Sequence, residues 1–252
     1  MTPAQKARLD IREKRHTAST RGLALGYVVA NLAVVPEKYA FEFLLYCQRN
    51  SRACPVLEVC DPGSPEPKQL APGADLRTDL AKYSVYENGR RRDVNDIRDL
   101  WRDDLVAFLI GSGMTFDGAL ERAGVPTDRH RWVLNSRIPT VAAGRFRGDM
   151  VVTMRWLTPE QAIIATQVSS RFPHNHGAPI HIGDPATIGA DLERPLFGGP
   201  VPALPKGLVA VFWACGVTPQ EAALQAKIEL LIAHAPAHGF VTDLEADRFC
   251  IP

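Results

Sequence analysis

Val209-Ala-Val-Phe-Trp-Ala-Cys-Gly-Val-Thr-Pro-Gln-Glu221, followed by Leu230-Leu-Ile-Ala233, is the stretch whose reading decides the fold. Val209–Ala214 is a short apolar run of β-branched and aromatic residues, which predicts a buried strand. Thr218-Pro-Gln-Glu221 carries a helix start, with Thr to cap, Pro at the first helical position and Glu three residues on. Leu230–Ala233 reads as a second buried strand. Strand, helix and strand in that order predict a βαβ unit with parallel strands and a right-handed crossover. Cys215 and Gly216 then lie at the carboxyl edge of a parallel strand, the edge at which α/β sheets bind ligands.

Working outward, Met150–Met154 is a strand candidate, and Thr158-Pro-Glu-Gln161 repeats the helix-start signature. The Pro- and Gly-rich segment 195–207 predicts a surface loop or a lid. Toward the amino terminus, Thr2-Pro3 opens a polar helix reaching about His16, and a second helix follows Pro36 with Tyr39, Phe43, Leu44 and Cys47 at helical spacing. Pro55–Val59 reads as a short strand and Asp61–Gly73 as a loop. Asn88-Gly89 marks a hairpin beginning at Tyr83. Ile97, Leu100, Trp101, Leu105 and Phe108 predict an apolar helical stripe after Asn95 or Asp96. A further helix from Thr115 should stop at Gly124.

Composition bounds the function. A chain of 252 residues, 46% hydrophobic and 23% charged, buries a substantial core as one large domain or two small ones. A net charge of +1 supplies no global field toward nucleic acid or an acidic membrane. Arg90–Arg92, beside the hairpin turn, reads as a solvated arm. The apolar stretch from Gly22 to Val35 is too short to span a bilayer, and the polar first twenty residues do not resemble a secretory signal. Five cysteines without a Cys-x-x-Cys pair suggest reduced thiols and a cytoplasmic protein. The expected partner is a small carboxylic or amino-acid substrate. Neither nucleic acid nor membrane is expected, and a homo-oligomer is left open.

Chemistry-bearing residues concentrate between Arg171 and Asp243. Arg171-Phe-Pro-His-Asn-His-Gly-Ala-Pro-Ile-His-Ile-Gly-Asp-Pro185 gathers Arg171, His174, His176, His181 and Asp184 among turn-forming residues. Asp184 is placed to orient His181, leaving a ring nitrogen as a base near neutral pH. Two other readings fit the same residues: histidines that satisfy loop backbone, and a zinc or manganese site, although the spacing matches no zinc signature. Cys215, ahead of a helix start, reads either as a nucleophile or acid–base group with a lowered pKa, or as a small buried thiol. The helix amides at Thr218 favour an anion. Arg145, within Ala143-Gly-Arg-Phe-Arg-Gly148, reads as a carboxylate anchor or as part of a solvated loop. No dinucleotide fingerprint, P-loop or Gly-x-Ser-x-Gly elbow occurs, so no nucleotide cofactor is expected.

Several strings together resemble the D-glutamate cyclase family of hydro-lyases: Arg171-Phe-Pro, His176-Gly-Ala-Pro-Ile-His-Ile-Gly-Asp-Pro185, Val211-Phe-Trp-Ala-Cys-Gly-Val-Thr-Pro-Gln220 and His234-Ala-Pro. The likeness continues upstream through Gly26-Tyr-Val, Cys54-Pro-Val-Leu-Glu-Val59 and Ile97-Arg-Asp-Leu-Trp-Arg-Asp-Asp-Leu-Val106, from about residue 20 to 243. The resemblance implies an α/β fold, with a mixed sheet and an intertwined smaller α+β portion. It further implies that residues 1–252 are read as one family unit, in which about 1–115 and 205–252 would make the larger α/β part and about 116–204 an inserted α+β part. It also implies a lyase that removes water from an amino acid, converting D-glutamate to 5-oxo-D-proline. In that reaction His181 would act as base, His176 or Cys215 as acid, and Arg145, Arg171, Thr218 and His234 would bind substrate. Another small acid as substrate, or a non-catalytic acid-binding homologue, are the alternatives. The sequence departs from the family's usual motifs at Ser112-Gly113, at Ser136-Arg-Ile-Pro-Thr140, and at Ala237, where a glycine is usual.

Overall fold

The computed structural model describes residues 1–127 and 131–251. Its first half comprises α1 (Pro3–Arg12), β1 (Tyr27–Pro36), α2 (Glu37–Arg49), β2 (Val56–Val59), the hairpin β3 (Tyr83–Glu87) and β4 (Arg90–Val94), and β5 (Leu105–Gly111). A short helix, α3 (Asp117–Arg122), leads to β6 (Trp132–Pro139), β7 (Asp149–Leu157), α4 (Pro159–Ser170) and β8 (His181–Ile182). The chain closes with β9 (Val209–Ala214), α5 (Thr218–Gln225), β10 (Leu230–His234), β11 (Phe240–Glu245) and α6 (Ala246–Phe249). No helix among the described residues is long and apolar enough to cross a membrane.

The strands form two antiparallel sheets. The larger runs β2-β5-β1-β10-β3-β4 with β11 also paired to β1, and the smaller runs β6-β7-β9-β8. β1 organises the larger sheet. Its Val-Val-Ala-Asn-Leu-Ala-Val-Val run is buried on both faces, which is why it lacks the alternation of a half-exposed strand. Ala30, Leu32 and Val34 face a core with Leu105, Leu109, Tyr83 and Ile232. Ala33 and Val35 face the opposite way, onto Phe43 and Tyr46 of α2 and Ala222 and Ala223 of α5. A third core joins the two sheets through Val28, Phe116, Leu157, Val211 and Trp213.

The mixed helix-and-strand class expected from sequence is what the structure shows, but the parallel βαβ unit is not. β9 pairs antiparallel with β7 and β8 in the smaller sheet, whereas β10 pairs antiparallel with β1 and β3 in the larger. Helix α5 therefore carries the chain from one sheet to the other. The crossover rule holds only for two strands of one sheet, and a short run buried on both faces does not name its partner. The larger sheet draws its strands from 27–111 and 230–245, and the smaller, to which β9 belongs, from 132–214.

Two local expectations also change. Arg98–Leu100 forms one 3₁₀ turn, and Leu105–Gly111 is a fully buried strand rather than the end of a helix. The stripe counted across Arg102-Asp103-Asp104, but the unbroken run Leu-Val-Ala-Phe-Leu-Ile is what a two-face-buried strand requires. The Thr158 capping box is present, with the hydroxyl accepting from the Gln161 amide and the Gln161 side chain accepting from the Thr158 amide. Thr218, by contrast, lies inside α5, whose cap position is Val217. Its hydroxyl accepts from the Val151 amide (3.0 Å) and donates to the Cys215 carbonyl (2.7 Å), tying α5 to β7.

Gly111 closes β5 against the turn at His174–Asn175, and a Cβ there would overlap the His174 carbonyl oxygen. Backbone cannot yield as a flexible side chain can. Gly111→Ala is expected to cost ~2–3 kcal/mol in urea denaturation. A loss below ~0.5 kcal/mol would show that this contact does not join the sheet to the loop.

Candidate active site

β1 changes partner along one edge. Val29 and Ala30 pair with β11, Ala33 and Val34 pair with β10, and the connection Ala235–Gly239 leaves the sheet between them. A cavity of about 310 Å³ lies at this break. Asn31 of β1, Ser112 and Gly113 after β5, Thr153 and Arg155 of β7, Cys215–Val217 after β9 and His234 at the end of β10 line it. Phe197 and Gly198, in the segment expected as loop or lid, form another part of the wall. The buried Asn31 donates from Nδ2 to the Gly111 carbonyl (3.0 Å), and Gly216 packs against its amide where a Cβ would overlap it.

Two arginines of the wall, Arg131 and Arg155, belong to a buried ion cluster. One oxygen of Asp117 accepts from Nη2 of Arg131 (2.6 Å) and the other from Nη2 of Arg155 (3.1 Å). Side-chain exposures of 3%, 7% and 5% put all three groups out of water. The Arg155 guanidinium also lies over the rings of Trp213 (5.2 Å) and Phe116 (5.8 Å), which provide a face suited to a cation. Nε and Nη1 of Arg155 and Nε of Arg131 have no hydrogen-bond partner among the described residues. Burial first, then the Arg131 charge, pull the Arg155 pKa down to about 10 against the opposing pull of Asp117, so it stays cationic at neutral pH. Arg21 also lines the cavity. Its pKa is lowered by partial burial and by Arg131. Among the described residues one carboxylate thus answers three guanidiniums, an excess of positive charge that favours an anion.

His176, Cys215 and His234 share this wall. His176 is buried in the left-handed backbone region (φ 76°), and its Nδ1 contacts the Arg52 carbonyl (3.1 Å). That carbonyl requires a proton on Nδ1, which leaves Nε2 as the acceptor. Nδ1 of His234 lies 3.0 Å from the Gln220 amide nitrogen and 3.3 Å from the Leu32 carbonyl, so Nε2 is again the remaining nitrogen. Desolvation lowers both rings to about 4, and both are neutral at pH 7. Burial pushes the Cys215 thiol up, against weaker opposing hydrogen bonds from the Thr153 hydroxyl and the Val217 amide. Desolvation outweighs the helix end here, so Cys215 is a protonated thiol rather than a thiolate.

The other sequence-derived candidates lie elsewhere. Nε2 of His181 contacts the backbone carbonyl of Asp184 (2.9 Å), while the Asp184 carboxylate accepts from the Ala186 amide. The His181 ring rests against Phe212, and neither residue lines the cavity. Arg145 pairs with Glu42 and stacks on Tyr39 (4.6 Å). Arg171 is exposed and donates to the Ile251 carbonyl. Thr218 is buried one turn behind Cys215, where it fixes the turn. No group of three or more His, Cys, Asp or Glu among the described residues converges as metal ligands would. Sequence reasoning missed Arg131, Arg155 and Asp117. Arg155 had a signal, since it alternates with Val151, Thr153 and Leu157 on the inward face of β7.

Comparison with known proteins fits this geometry to a family. The family model for D-glutamate cyclase matches residues 106–243, a span holding Asp117, Arg131, Arg155, His176, Cys215 and His234. The chain belongs to the D-glutamate cyclase family. A protein of Geobacillus kaustophilus named "Putative hydro-lyase" is 50% identical, over 97% of this chain and 95% of its own. Relatives of the same name from Bacillus licheniformis (49%; 97% and 95%) and Thermoanaerobacter sp. (51%; 95% and 93%) are similar to it over comparable spans. Among solved structures, a nitrogen repressor-like protein of Methanococcus jannaschii overlaps 91% of each chain at 14% identity, with a TM-score of 0.38.

Within this D-glutamate cyclase family member, the departures from the usual motifs fall in different places. Ser112 and Ala237 line the cavity, whereas Arg137 is exposed and packs its stem near Gly189, outside the cavity. Ala237 keeps the left-handed conformation (φ 63°) that a glycine adopts without strain.

The two buried histidines set a pH dependence. Their folded values near 4 lie below the ordinary 6.5, so the unfolded chain takes up these protons first as pH falls. The stability they contribute is complete above pH ~6.5 and is lost between ~6.5 and ~4, up to ~3 kcal/mol for each ring. Urea denaturation across this range should show His234→Gln losing less stability with falling pH than the parent, by ~1.4 kcal/mol per pH unit at most. Parallel curves would show that His234 is not held neutral.

Proposed function

We propose that this chain is a hydro-lyase that closes D-glutamate to 5-oxo-D-proline, with the reaction housed in the cavity at the break in the β1 edge. The observation that carries the reading is the Arg131–Asp117–Arg155 cluster, two buried guanidiniums sharing one carboxylate, with three of their nitrogens unpartnered among the described residues. Guanidinium is the side chain best matched to a carboxylate, and a dry cationic wall binds one strongly. The family assignment supports the same substrate.

Ring closure forms a bond between the amino nitrogen and the side-chain carboxyl carbon and breaks a bond from that carbon to oxygen. Of the three ammonium protons, one stays on the lactam nitrogen and two leave in the water. A cationic site assists the first step, because like charges disfavour the ammonium and favour the nucleophilic amine. We assign the acceptor of the ammonium proton to Nε2 of His176, whose ring is neutral and inside the cavity, in preference to His181 on the outside. After attack a second proton passes from the nitrogen to the carboxyl oxygen that leaves. The protonated Cys215 thiol is suited to hand that departing hydroxide a proton, which the thiolate regains from the His176 imidazolium, and the Arg155 guanidinium to stabilise the tetrahedral oxyanion. His234, with Nδ1 engaged, is placed to contact the substrate. Holding amine and carboxyl together in the cavity exploits the proximity that favours five-membered rings. The scheme is written without nucleotide or metal.

Mass spectrometry of the protein incubated separately with D-glutamate, L-glutamate and 5-oxo-D-proline, with and without chelator, tests the reading. Interconversion of the D pair alone, unaffected by chelator, is the expected result. Arg155→Met should lower kcat/KM at least ~100-fold in a protein that remains folded. Turnover within ~3-fold of the parent would remove the cluster from the reaction, and no interconversion by the parent would move the assignment to another small acid.

A further inference from the structure

Arg21 differs from the other arginines around the cavity. Its side chain has no hydrogen-bond or ion-pair partner among the described residues, while Arg131 and Arg155 are tied to Asp117. Its backbone is nevertheless fixed. The Ser19 hydroxyl and the Thr20 amide both donate to the Ala237 carbonyl (2.9 Å each), and the Thr20 hydroxyl donates to the Gly239 carbonyl (3.0 Å). These bonds hold the Arg21 segment against the loop that leaves β10 after His234. An exposed residue with a guanidinium on the cavity wall is thereby kept within electrostatic range of Arg131 and Asp117. Among the described residues three cations gather around one carboxylate and repel one another, and a ligand bearing two negative charges removes that repulsion more fully than a ligand bearing one.

We propose that Arg21 and the Arg131–Asp117–Arg155 cluster form a two-point clamp that selects a dicarboxylate over an acid with one carboxylate, so that lactam formation weakens the hold on its own product. The clamp rests on the cyclase reading only where it speaks of product. Glutamate enters with two carboxylates. Ring closure converts one into a neutral lactam, and the ring retains the other. The buried cluster grips one end of the ligand, and Arg21, an exposed residue that lines the same cavity, meets the other. Arg21 is thus a specificity-determining residue, separate from the groups assigned to proton transfer.

The clamp is tested with glutarate, which has two carboxylates and no amine to cyclise, against butyrate, which has one. Isothermal titration of the parent, Arg21→Met and Arg21→Lys would be run at low and high salt. The parent should bind glutarate at least ~10-fold more tightly than butyrate and 5-oxo-D-proline, and the preference should shrink as salt screens the rim charge. Arg21→Met should reduce the preference to under ~3-fold with butyrate affinity nearly unchanged, and Arg21→Lys should keep most of it. An equal preference in the parent and Arg21→Met, equal loss of both ligands, or no preference in the parent would each overturn the clamp. Discrimination that depends on Arg21 in a protein that fails to turn over D-glutamate would uphold the clamp and remove only the cyclase assignment.

Discussion

The site exists because β1 is asked to pair with two strands along one edge. Its opposite edge is continuous with β5 from Ala30 to Pro36, which keeps the strand straight and buried. On the divided edge, β11 and β10 meet it at different heights, and the chain between them must leave the sheet. The gap at Asn31 and Leu32 lies in the middle of the molecule, where backbone polar groups cannot be left to water. Asn31, His234 and Gln220 supply hydrogen bonds there, and Gly216 brings the end of β9 close enough to help close the gap. Because β9 belongs to the smaller sheet, the cavity is also where the two sheets meet.

Electrostatics then gives the gap its chemistry. A buried carboxylate and two buried guanidiniums are costly to desolvate, and their mutual attraction does not by itself stabilise the fold. Among the described residues the cluster has an excess of positive charge and buried nitrogens without partners, beside the faces of Phe116 and Trp213. Such an arrangement is poor as a structural brace and well suited to an anionic ligand. The same dry surroundings keep His176 and His234 neutral and Cys215 protonated, so the cavity offers proton acceptors and a donor beside a fixed positive field.

Much of the local structure was legible. Thr158-Pro-Glu-Gln161 specifies its helix through a complete capping box, and Asn88-Gly89 specifies a hairpin because both residues adopt positive φ. Sheet partnership was not legible. Val209–Ala214 and Leu230–Ala233 are each buried on both faces, so no pattern says which sheet either joins. The loop Arg171–Pro185 looked like the richest chemistry, yet only His176 of its histidines turns inward, held by the Arg52 carbonyl from a distant loop. His181 and Asp184 stabilise their own turn. The family motifs identified the kind of chain, and Cys215 and His234 lay within them. Asp117 opens the short helix α3 and Arg131 directly precedes β6, and neither stretch of sequence gives a hint of burial. Arg155 was readable as one charge inside Met150-Val-Val-Thr-Met-Arg-Trp-Leu157, and a lone arginine on the inward face of a strand requires a partner.

The most direct test of the account is the position of D-glutamate in crystals of the Cys215→Ala variant, which removes the proposed proton donor to the leaving group. The account predicts the ligand in the cavity at the β1 break, one carboxylate within hydrogen-bond distance of the Arg155 and Arg131 guanidiniums and the amine toward His176. D-Glutamate bound instead beside His181 or Arg145, with the arginine cluster untouched, would contradict it.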